Sequence, residues 1–340
     1  MRHYPSLVKR ILIIRPGALG DLIVTLPTFG AIRNYFQHAY IEIMGYTTLL
    51  EITKGRFYAD AISRFDQADN TILFVHNDQL PPSFIKKFQD VDFIFSFVSD
   101  KEQVFTHNLR KTGVKHIIHQ EPLPACNENT HITDYLLKSL DSLGITYPNI
   151  IPKVFLNNED LCFGEKFLND AAIDSSKVLI AIHPGSGSRQ KCWPVERFAA
   201  LMSRLSSNIN AQFLVISGPA DDKVIEELRL KIGNTFTMVN QLPLPYLAAI
   251  VARCRLFIGN DSGVTHLAAA TGTPTIAIFG PTDPRMWGPR GEKVKILYKK
   301  LPCSPCSPDI RKNCFPLSCL DQIGIESVIK DVYSVLKETT

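Results

Sequence analysis

The sequence has no apolar run long enough to span a bilayer, and the polar, basic residues 1–10 precede an apolar stretch too short for a secretory signal. It also lacks a basic stripe with interleaved aromatic side chains, so its mild net charge of +4 does not indicate a nucleic-acid partner. With 45% hydrophobic and 21% charged residues, a disordered or fibrous chain is excluded as well. These absences leave a globular protein, which we expect in the cytoplasm without nucleic acid.

Cysteine is not scarce, but its distribution does not indicate a disulfide framework. The sequence holds eight cysteines, and because nothing in it indicates export, reduced thiols are the default expectation. A cluster near the C terminus consists of Cys303, Cys306, Cys314 and Cys319. A Cys-x-x-Cys pair followed by two further thiolates suits a structural zinc or iron site, although the last two are spaced more loosely than a standard second pair. Metal-free thiols, and disulfides formed only after purification, remain open alternatives.

Apolar segments and helical patterns alternate along the whole chain. Runs such as 10–15 and 71–75 are typical of buried strands, and the helical patterns between such runs predict parallel sheets covered by helices on both faces. The alternation loosens at residues 145–156 and then begins again. The sequence therefore predicts an α/β protein of two Rossmann-like domains with parallel sheets facing across a cleft, the first at residues 1–155 and the second at 156–322.

A glycine-containing turn follows the first predicted strand, at the sheet edge where open α/β folds bind ligands. Gly17 and Gly20 would let the backbone approach a sugar or phosphate closely, and Asp21 lies at or near the start of the next helix. A carboxylate there is suited to accept a proton from an acceptor hydroxyl. An ordinary acidic residue in a first helical turn, favoured by the helix dipole, explains Asp21 equally well. The pattern is not GxGxxG, so it does not support a dinucleotide fingerprint.

The loop at residues 183–194 follows the first predicted strand of the second domain. Its small residues expose backbone N–H groups, and Ser186 and Ser188 add hydroxyl donors. Arg189 and Lys191 supply cations for a phosphate. A flexible, solvated loop with surface cations is the alternative, but a second polar motif in the same domain favours phosphate binding.

That second motif, within residues 257–284, is the most informative segment of the chain. Two β-rich apolar runs bracket an alanine-rich helical segment, and the polar turn between strand and helix lies where a helix N-terminus binds phosphates. We expect Asp261 to contact a sugar. The residues expected to hold a diphosphate are Ser262, Gly263 and Thr265. A capping residue followed by a turn glycine would produce the same pattern without any ligand.

Taken together, these motifs resemble the lipopolysaccharide heptosyltransferases of glycosyltransferase family 9. The resemblance rests on Gly-x-Leu-Gly-Asp after the first strand, Lys-x-Trp-Pro in mid-chain, and Asn-Asp-Ser-Gly-x-x-His followed by Phe-Gly-Pro-Thr-Asp-Pro. It covers nearly the whole chain in the family's order. It implies the GT-B fold, inverting transfer from ADP-L-glycero-β-D-manno-heptose, and no catalytic metal. In GT-B enzymes the last helix, here within residues 323–340, commonly packs back on the first domain, and we expect the same here.

The resemblance also assigns roles to individual residues. Asp21 would be the catalytic base, Lys191 would bind the phosphates and stabilise the departing ADP, and Asp261 would hold donor hydroxyls. Residues that would flank the diphosphate are Ser262, Gly263 and His266, and the small donor-loop residues are Ser186 and Gly187. Leu242 would line the adenine pocket, and Asp222 would meet the ribose. His266 also lies beside an apolar run, which favours a partly structural role.

The implied function is transfer of a heptose, or a related sugar, from an ADP-activated donor to a lipopolysaccharide core or another glycan. A nucleotide-sugar epimerase of the same architecture and a non-catalytic binding protein remain alternatives. Some family members carry a similar cysteine-rich segment, here 303–319, and certain protein-heptosylating relatives bind iron there. Basic side chains of the first domain suit a phosphorylated acceptor or a peripheral contact with the inner-membrane surface, or are simply solvated. They are Arg56, Arg64, Lys86, Lys87, Lys101, Arg110 and Lys111.

Overall fold

The computed structural model describes residues 8–76, 78–125, 130–307, 309–310, 314 and 318–338. The chain divides into two compact units, Met1–Ile150 and Ile151–Thr340, with the boundary slightly before the predicted residue 155. Of the predicted cysteine-rich segment, residues 308, 311–313 and 315–317 lie outside the described residues. No helix in the described part of the chain is both long enough and apolar enough to cross a membrane.

The first unit contains a parallel sheet with helices between its strands. The strands are β1 (Arg10–Ile14), β2 (Tyr40–Gly45), β3 (Ala61–Arg64), β4 (Phe93–Ser96) and β5 (His116–His119). The helices are α1 (Leu19–Tyr35), α2 (Thr47–Leu50), α3 (Pro82–Ile85), α4 (Val104–Arg110) and α5 (Ile132–Leu137), with 3₁₀ helices at Ala68–Phe74, Lys86–Phe88 and Lys138–Leu143. The strand order is β3-β2-β1-β4-β5, and neighbouring strands are parallel.

The second unit repeats this architecture with a larger sheet. Its strands are β6 (Val178–His183), β7 (Ala211–Ser217), β8 (Thr237–Asn240), β9 (Leu256–Asn260), β10 (Thr275–Phe279) and β11 (Val294–Tyr298). Its helices are α6 (Asn158–Asp170), α7 (Val195–Ile209), α8 (Asp222–Ile232), α9 (Leu244–Val251), α10 (Gly263–Ala270), α11 (Pro284–Trp287), α12 (Ser318–Asp321) and α13 (Ile325–Glu338), with a 3₁₀ helix at Arg189–Lys191. The strand order is β11-β10-β9-β6-β7-β8, again with parallel neighbours.

Each sheet has a point at which its strand order reverses. In the first unit β1 lies between β2 and β4, and in the second unit β6 lies between β7 and β9. Loops that leave the carboxyl ends of strands on either side of such a reversal diverge, and ligands bind in the crevice between them. The loops after β1, β6 and β9 carry the motifs singled out in the sequence. The topology therefore places each motif beside a reversal point.

The central strands are buried because helices cover both faces of each sheet. In β1, Ile11 and Ile13 are 0% exposed, and in β9, Phe257 and Ile258 are 0% exposed. Consecutive buried apolar residues are typical of central parallel strands. The edge strand β11 is different, since its residues are all partly or largely exposed. The continuous apolar runs in the sequence thus mark the strands that carry the motif loops.

The last helix packs within the second unit. Its buried residues are Val328, Ile329, Val332 and Val335. They belong to the same core as the buried side chains of β6, β9, β10 and α7. The helix contacts α7, β9, β10 and β11. The apolar face of this helix is therefore occupied by the core of its own unit.

Residues 71–75, predicted as a strand, instead fall largely in the 3₁₀ helix Ala68–Phe74. The cause is a side chain from α4. The Asn108 amide nitrogen donates to the backbone oxygens of Leu73 and Val75 at 3.2 and 2.7 Å. Carbonyl groups held by a side-chain amide compete with pairing to a neighbouring strand. Tertiary hydrogen bonds have here overridden the β propensity of an apolar run.

Shortening a buried side chain of α13 should destabilise the second unit. Val332 is 0% exposed, so Val332→Ala should lower the free energy of unfolding by about 1–3 kcal/mol through lost burial and a residual cavity. Both tryptophans, Trp193 and Trp287, belong to this unit, so tryptophan fluorescence during urea unfolding reports on it. The exposed Lys330→Ala is the matched control, with an expected change within about 0.5 kcal/mol. Equal effects of the two variants would contradict the assigned packing.

Candidate active site

The turn after β1 requires a glycine at its first position. Gly17 has a φ of +148°, a region that favours glycine, and a Cβ there would lie 2.9 Å from the Cβ of Asp21. Gly20, the second predicted glycine, lies in the first turn of α1 together with Asp21. A side chain at position 17 would displace Asp21. The glycine therefore leaves room for the Asp21 carboxylate beside the turn.

The Asp21 carboxylate is held on two sides. Its Oδ2 accepts a hydrogen bond from the Ala18 backbone N–H at 2.9 Å, and its Oδ1 lies 3.7 Å from Nη2 of Arg15. The side chain of Asp21 is still 31% exposed. The residue thus satisfies a helix start and also presents a carboxylate to solvent, so both interpretations of the motif remain compatible with the geometry.

Arg15 anchors the turn from inside the unit. Its side chain is 3% exposed, and it donates to Oγ1 of Thr25 at 3.0 Å and to the backbone oxygens of Pro16 and Asp21 at 3.3 Å. Burial lowers the pKa of the Arg15 guanidinium, and the negative charge of Asp21 opposes that shift. Arginine nevertheless keeps its proton at physiological pH. A permanent positive charge therefore lies beside the candidate base.

In the second unit, the loop after β6 meets the loop after β9. Nζ of Lys191 lies 2.8 Å from Oδ2 of Asp261, and the Ser186 hydroxyl donates to the Asp261 backbone oxygen at 2.8 Å. The Thr282 hydroxyl donates to the same carboxylate. Asp261 is 6% exposed at its side chain and Lys191 is 25% exposed. The structure therefore brings Ser186, Lys191 and Asp261 together, with the amine at the solvent side.

The side chain of Asn260 holds these two loops in place. Its amide nitrogen donates to the backbone oxygens of Pro184 and Gly185 at 2.7 and 3.2 Å. Its Oδ1 accepts from the Trp193 backbone N–H at 2.9 Å. Asn260 is 0% exposed. The sequence places this residue in a polar turn but does not predict that it fixes the neighbouring loop.

The start of α10 divides its predicted residues into two groups. Ser262 is the N-cap, accepting from the Thr265 backbone N–H at 3.4 Å, and Gly263 is the first helical residue; both are partly exposed. Thr265 is buried and donates its hydroxyl to the Asn260 backbone oxygen at 2.5 Å. His266 is only 5% exposed, as its apolar surroundings predict. Within this group, Ser262 and Gly263 are the residues a ligand can reach.

A buried histidine–aspartate pair beside Ser262 is not predicted from the sequence. Nε2 of His183 lies 3.0 Å from Oδ2 of Asp221, and its Nδ1 lies 3.1 Å from Oγ of Ser262. Burial alone would raise the pKa of Asp221, but the hydrogen bond and charge of His183 and the Gly218 N–H lower it below its ordinary value. A Cβ on Gly185 would lie 1.8 Å from Oδ1 of Asp221. A glycine is therefore required where the loop passes this carboxylate.

Three further donor residues implied by the resemblance are at the surface of the second unit. Gly187 and Asp222 are exposed, and Leu242, in the loop between β8 and α9, is partly exposed. The acidic residue that faces the interior is Asp221, next to Asp222 in the chain. The assigned contacts of these three residues with a nucleotide remain predictions.

The four C-terminal cysteines influence one another. Burial raises the pKa of the Cys306 thiol to about 11, and the charges of Cys303, Cys319 and Cys314 and a hydrogen bond with Cys303 add to the shift. Burial also raises the pKa of Cys319. Within the residues that the structure describes, however, no group of three or more His, Cys, Asp or Glu side chains could hold a metal ion. The tentative structural zinc or iron site is therefore not supported.

The loop that carries the first two of these cysteines packs against the end of β10. The Ser304 hydroxyl donates to the Gly280 backbone oxygen at 2.9 Å, and the Cys306 backbone N–H donates to the Pro281 oxygen at 2.8 Å. A Cβ on Gly280 would lie 3.2 Å from Sγ of Cys319. The cysteine segment thus supports the strand end that precedes Thr282, whose hydroxyl contacts the Asp261 carboxylate.

Comparison with known proteins matches this chain to a family of sugar transferases. The family model for glycosyltransferase family 9 (heptosyltransferase) matches residues 74–314. The chain is 25% identical over 346 residues to lipooligosaccharide heptosyltransferase 2 of Campylobacter jejuni subsp. jejuni serotype O:2, covering 97% of this chain and 99% of that relative.

Solved structures show the same fold. A glycosyl transferase family 9 protein from Veillonella parvula DSM 2008 matches with a TM-score of 0.80 at 21% identity, covering 97% of this chain and 98% of that chain. The E. coli ADP-heptose lps heptosyltransferase II matches with a TM-score of 0.75 at 15% identity, covering 97% and 99%. E. coli heptosyltransferase WaaC with ADP matches at 0.65 and 16% identity, covering 96% and 99%. The predicted fold class, an α/β chain of two Rossmann-like units of the GT-B type, is confirmed.

Alkylation of Cys306 should keep accelerating into the alkaline range. The thiolate is the nucleophile, and because the pKa of Cys306 is raised to about 11, the fraction of thiolate is small at neutral pH. Its rate with iodoacetamide should rise about tenfold per pH unit between about pH 7 and 10, as followed by peptide mass spectrometry with the exposed Cys162 as internal reference. A rate that levels off near pH 8, or that a chelator increases, would instead indicate a stabilised thiolate.

Proposed function

Because the chain belongs to glycosyltransferase family 9, the heptosyltransferase family, we propose that it transfers a heptose, or a related sugar, from an ADP-activated donor. The acceptor is a lipopolysaccharide core or another glycan, and the anomeric centre is inverted without a catalytic metal. The observation that carries the proposal is the meeting of Lys191, Asp261 and the Ser262 helix start at the reversal point of the second sheet.

The donor binds to the second unit through its diphosphate. The partly exposed start of α10 offers backbone N–H groups and the hydroxyl of Ser262 to phosphate oxygens. Lys191, whose amine lies 2.8 Å from the Asp261 carboxylate, exchanges that carboxylate for a phosphate oxygen. Asp261 is then available to accept hydrogen bonds from sugar hydroxyls. The ion pair thereby supplies a cation for the diphosphate and a carboxylate for the sugar. Leu242 and Asp222 contact the adenosine.

The first unit supplies the base. Asp21 accepts the proton of the acceptor hydroxyl as that oxygen attacks the anomeric carbon. The bond between this carbon and the phosphate oxygen breaks, and ADP leaves with the bonding electrons. Gly17 and Gly20 allow the acceptor to approach the carboxylate. The guanidinium of Arg15, with Nη2 at 3.7 Å from Oδ1 of Asp21, places a positive charge beside this carboxylate.

Negative charge on the departing ADP is stabilised by this chain's own groups. Lys191 supplies a full positive charge, and the N-terminus of α10 supplies oriented N–H dipoles, which together are suited to a metal-free reaction. His266 supports the helix start from its buried face. We place the reaction in the cytoplasm, with peripheral contact at the inner-membrane surface. The exposed basic side chains of the first unit support such a contact, although Arg64 and Lys87 already pair with acids.

An epimerase or a simple binding protein would behave differently with the donor alone. An epimerase would convert the isolated nucleotide sugar, whereas the transferase requires an acceptor. A binding protein would consume neither the nucleotide sugar nor the acceptor. The simultaneous presence of a carboxylate beside the β1 turn and a cation–carboxylate pair beside α10 favours the transferase.

Nucleotide selectivity tests the donor assignment. ADP at about 100 times its dissociation constant should stabilise the folded protein by about 2.7 kcal/mol, seen as a rise in melting temperature. UDP and GDP at the same concentration should give smaller shifts. Lys191→Ala should reduce the shift with ADP, whereas Lys177→Ala, an exposed lysine of the same unit, should leave it unchanged. Equal stabilisation by the three nucleotides would contradict the assignment.

Removal of the candidate base should separate chemistry from binding. Asp21→Asn keeps a hydrogen-bond acceptor for the Ala18 N–H but cannot take up the proton, so turnover should fall about 10²–10⁴-fold. The melting-temperature shift with ADP should be retained, because the donor binds to the other unit. Asp66→Asn, an exposed acid of the first unit, should keep full turnover. An Asp21→Asn variant with normal turnover would show that another group is the base.

A further inference from the structure

A chain of three side chains joins three loops of the second unit. Asp221 precedes α8, His183 ends β6, and Ser262 caps α10, with contacts of 3.0 Å and 3.1 Å through the two ring nitrogens of His183. His183 is 3% exposed and Asp221 is 5% exposed. An ionised carboxylate is costly to bury unless a partner compensates its charge and forms hydrogen bonds with it. None of the steps described for the transfer uses this pair.

The hydrogen bonds around Ser262 leave the direction of its own proton undecided. The Thr265 backbone N–H donates to Oγ of Ser262 at 3.4 Å. The Thr265 hydroxyl gives its proton to the backbone oxygen of Asn260, so it can only accept from Ser262 at 3.1 Å. The Ser262 proton therefore points to Thr265, to His183 or to a ligand. The protonation of His183 decides between these directions.

A neutral His183 draws the Ser262 proton inward. With Nε2–H donating to the ionised Asp221, Nδ1 carries a lone pair and accepts from the Ser262 hydroxyl. A protonated His183 has the opposite effect, because both ring nitrogens then donate. Nδ1–H bonds to Oγ of Ser262, and the Ser262 hydroxyl proton becomes available to a ligand at the start of α10. An anion at that position favours the second state by its charge and by accepting this proton.

We propose that His183 is a positioning residue that takes up a proton when a nucleoside diphosphate binds at the start of α10, and so turns the Ser262 hydroxyl towards the diphosphate. This inference rests on the proposed function, since it takes ADP as the ligand of that site. The proton comes from solvent and remains on His183. The Asp221 carboxylate stays ionised and balances the imidazolium charge. No covalent bond to the ligand forms or breaks.

The other ionisable groups around His183 do not change charge in the same way. Burial and the charge of Asp221 raise the pKa of the neighbouring Cys192 thiol to about 11, against the influence of Arg189, so this thiol stays neutral. Lys191 and Asp261 neutralise each other. A second histidine, His266, lies one turn along α10 from Ser262. A test must therefore separate His183 from His266.

Proton uptake on binding is measured directly by calorimetry. Titrating the full-length protein with ADP in two buffers of different ionisation enthalpy, between about pH 6 and 8, gives the number of protons exchanged. ADP can itself release a proton, so the comparison between protein variants carries the result. Wild-type protein should take up more protons than His183→Asn. The affinity of the wild-type protein for ADP should fall as the pH rises. For a single linked proton, the decrease is no more than about tenfold per pH unit.

Three further variants distinguish the proposed role from a structural one. Asp221→Asn can keep both hydrogen bonds but removes the balancing charge, so proton uptake should be lost, and affinity for ADP should fall about tenfold near neutral pH. Glu226→Gln, at an exposed acid of α8, should behave like wild type. His266→Asn should retain the uptake. A structural role for the pair would lower the melting temperature of His183→Asn while leaving its proton count unchanged.

The outcomes separate the two proposals. Wild-type protein that does not bind ADP contradicts the proposed function. If ADP binds with the same proton uptake in wild type, His183→Asn and Asp221→Asn, the role of His183 is contradicted. The proposed function is not contradicted by that result. Uptake that disappears in His266→Asn but persists in His183→Asn assigns the proton to the other histidine and overturns the inference.

Discussion

The candidate site of the second unit depends on one buried amide. Asn260 is the last residue of β9, and its side chain bonds to the backbone of Pro184, Gly185 and Trp193. Those bonds hold the loop after β6 against the loop after β9, so that Ser186 and Lys191 meet Asp261. Without the amide, two backbone oxygens and one N–H would lack these partners, at a cost of about 1–3 kcal/mol for each group left unsatisfied.

The same amide connects the motif loops to the segment that leads into α13. The Trp193 backbone bonds to Asn260, while its indole N–H donates to the Ile323 backbone oxygen at 2.9 Å. Arg197 donates to that oxygen as well, at 2.7 Å. Ile323 leads directly into α13, whose apolar face completes the core. The position of the loops after β6 and β9 is therefore supported by a helix near the end of the chain.

Much of the fold follows from sequence periodicity, because buried parallel strands are continuous apolar runs and the helices between them are amphipathic. Periodicity identifies the apolar face of α13, with Val328 and Val332 at helical spacing, but not the surface that covers it. In the structure, the core of the second unit covers this face. The run 71–75 was misread for a similar reason, because Asn108 lies on a distant segment.

The sequence predicts several residues of the candidate site but not the contacts between them. The sequence predicts that both Lys191 and Asp261 contact a ligand, whereas in the structure they form an ion pair with each other. His183 and Asp221 are separated by a helix and a strand in sequence, and their meeting follows from the pairing of β6 with β7. Both residues lie at or just beyond a strand's carboxyl end, and this shared position was the available signal. The predicted acid, Asp222, is exposed, whereas the preceding residue, Asp221, is the buried one.

In the proposed mechanism, the ion pair between Lys191 and Asp261 would discriminate among the small anions of a cell. Inorganic phosphate or sulfate can replace the carboxylate at the amine, but it leaves Asp261 deep in the unit without a counter-charge, which is costly. A sugar nucleotide brings hydroxyl groups along with its phosphates and can satisfy the displaced carboxylate at once. Abundant simple anions would therefore compete poorly, and occupancy would depend on a molecule that carries both features.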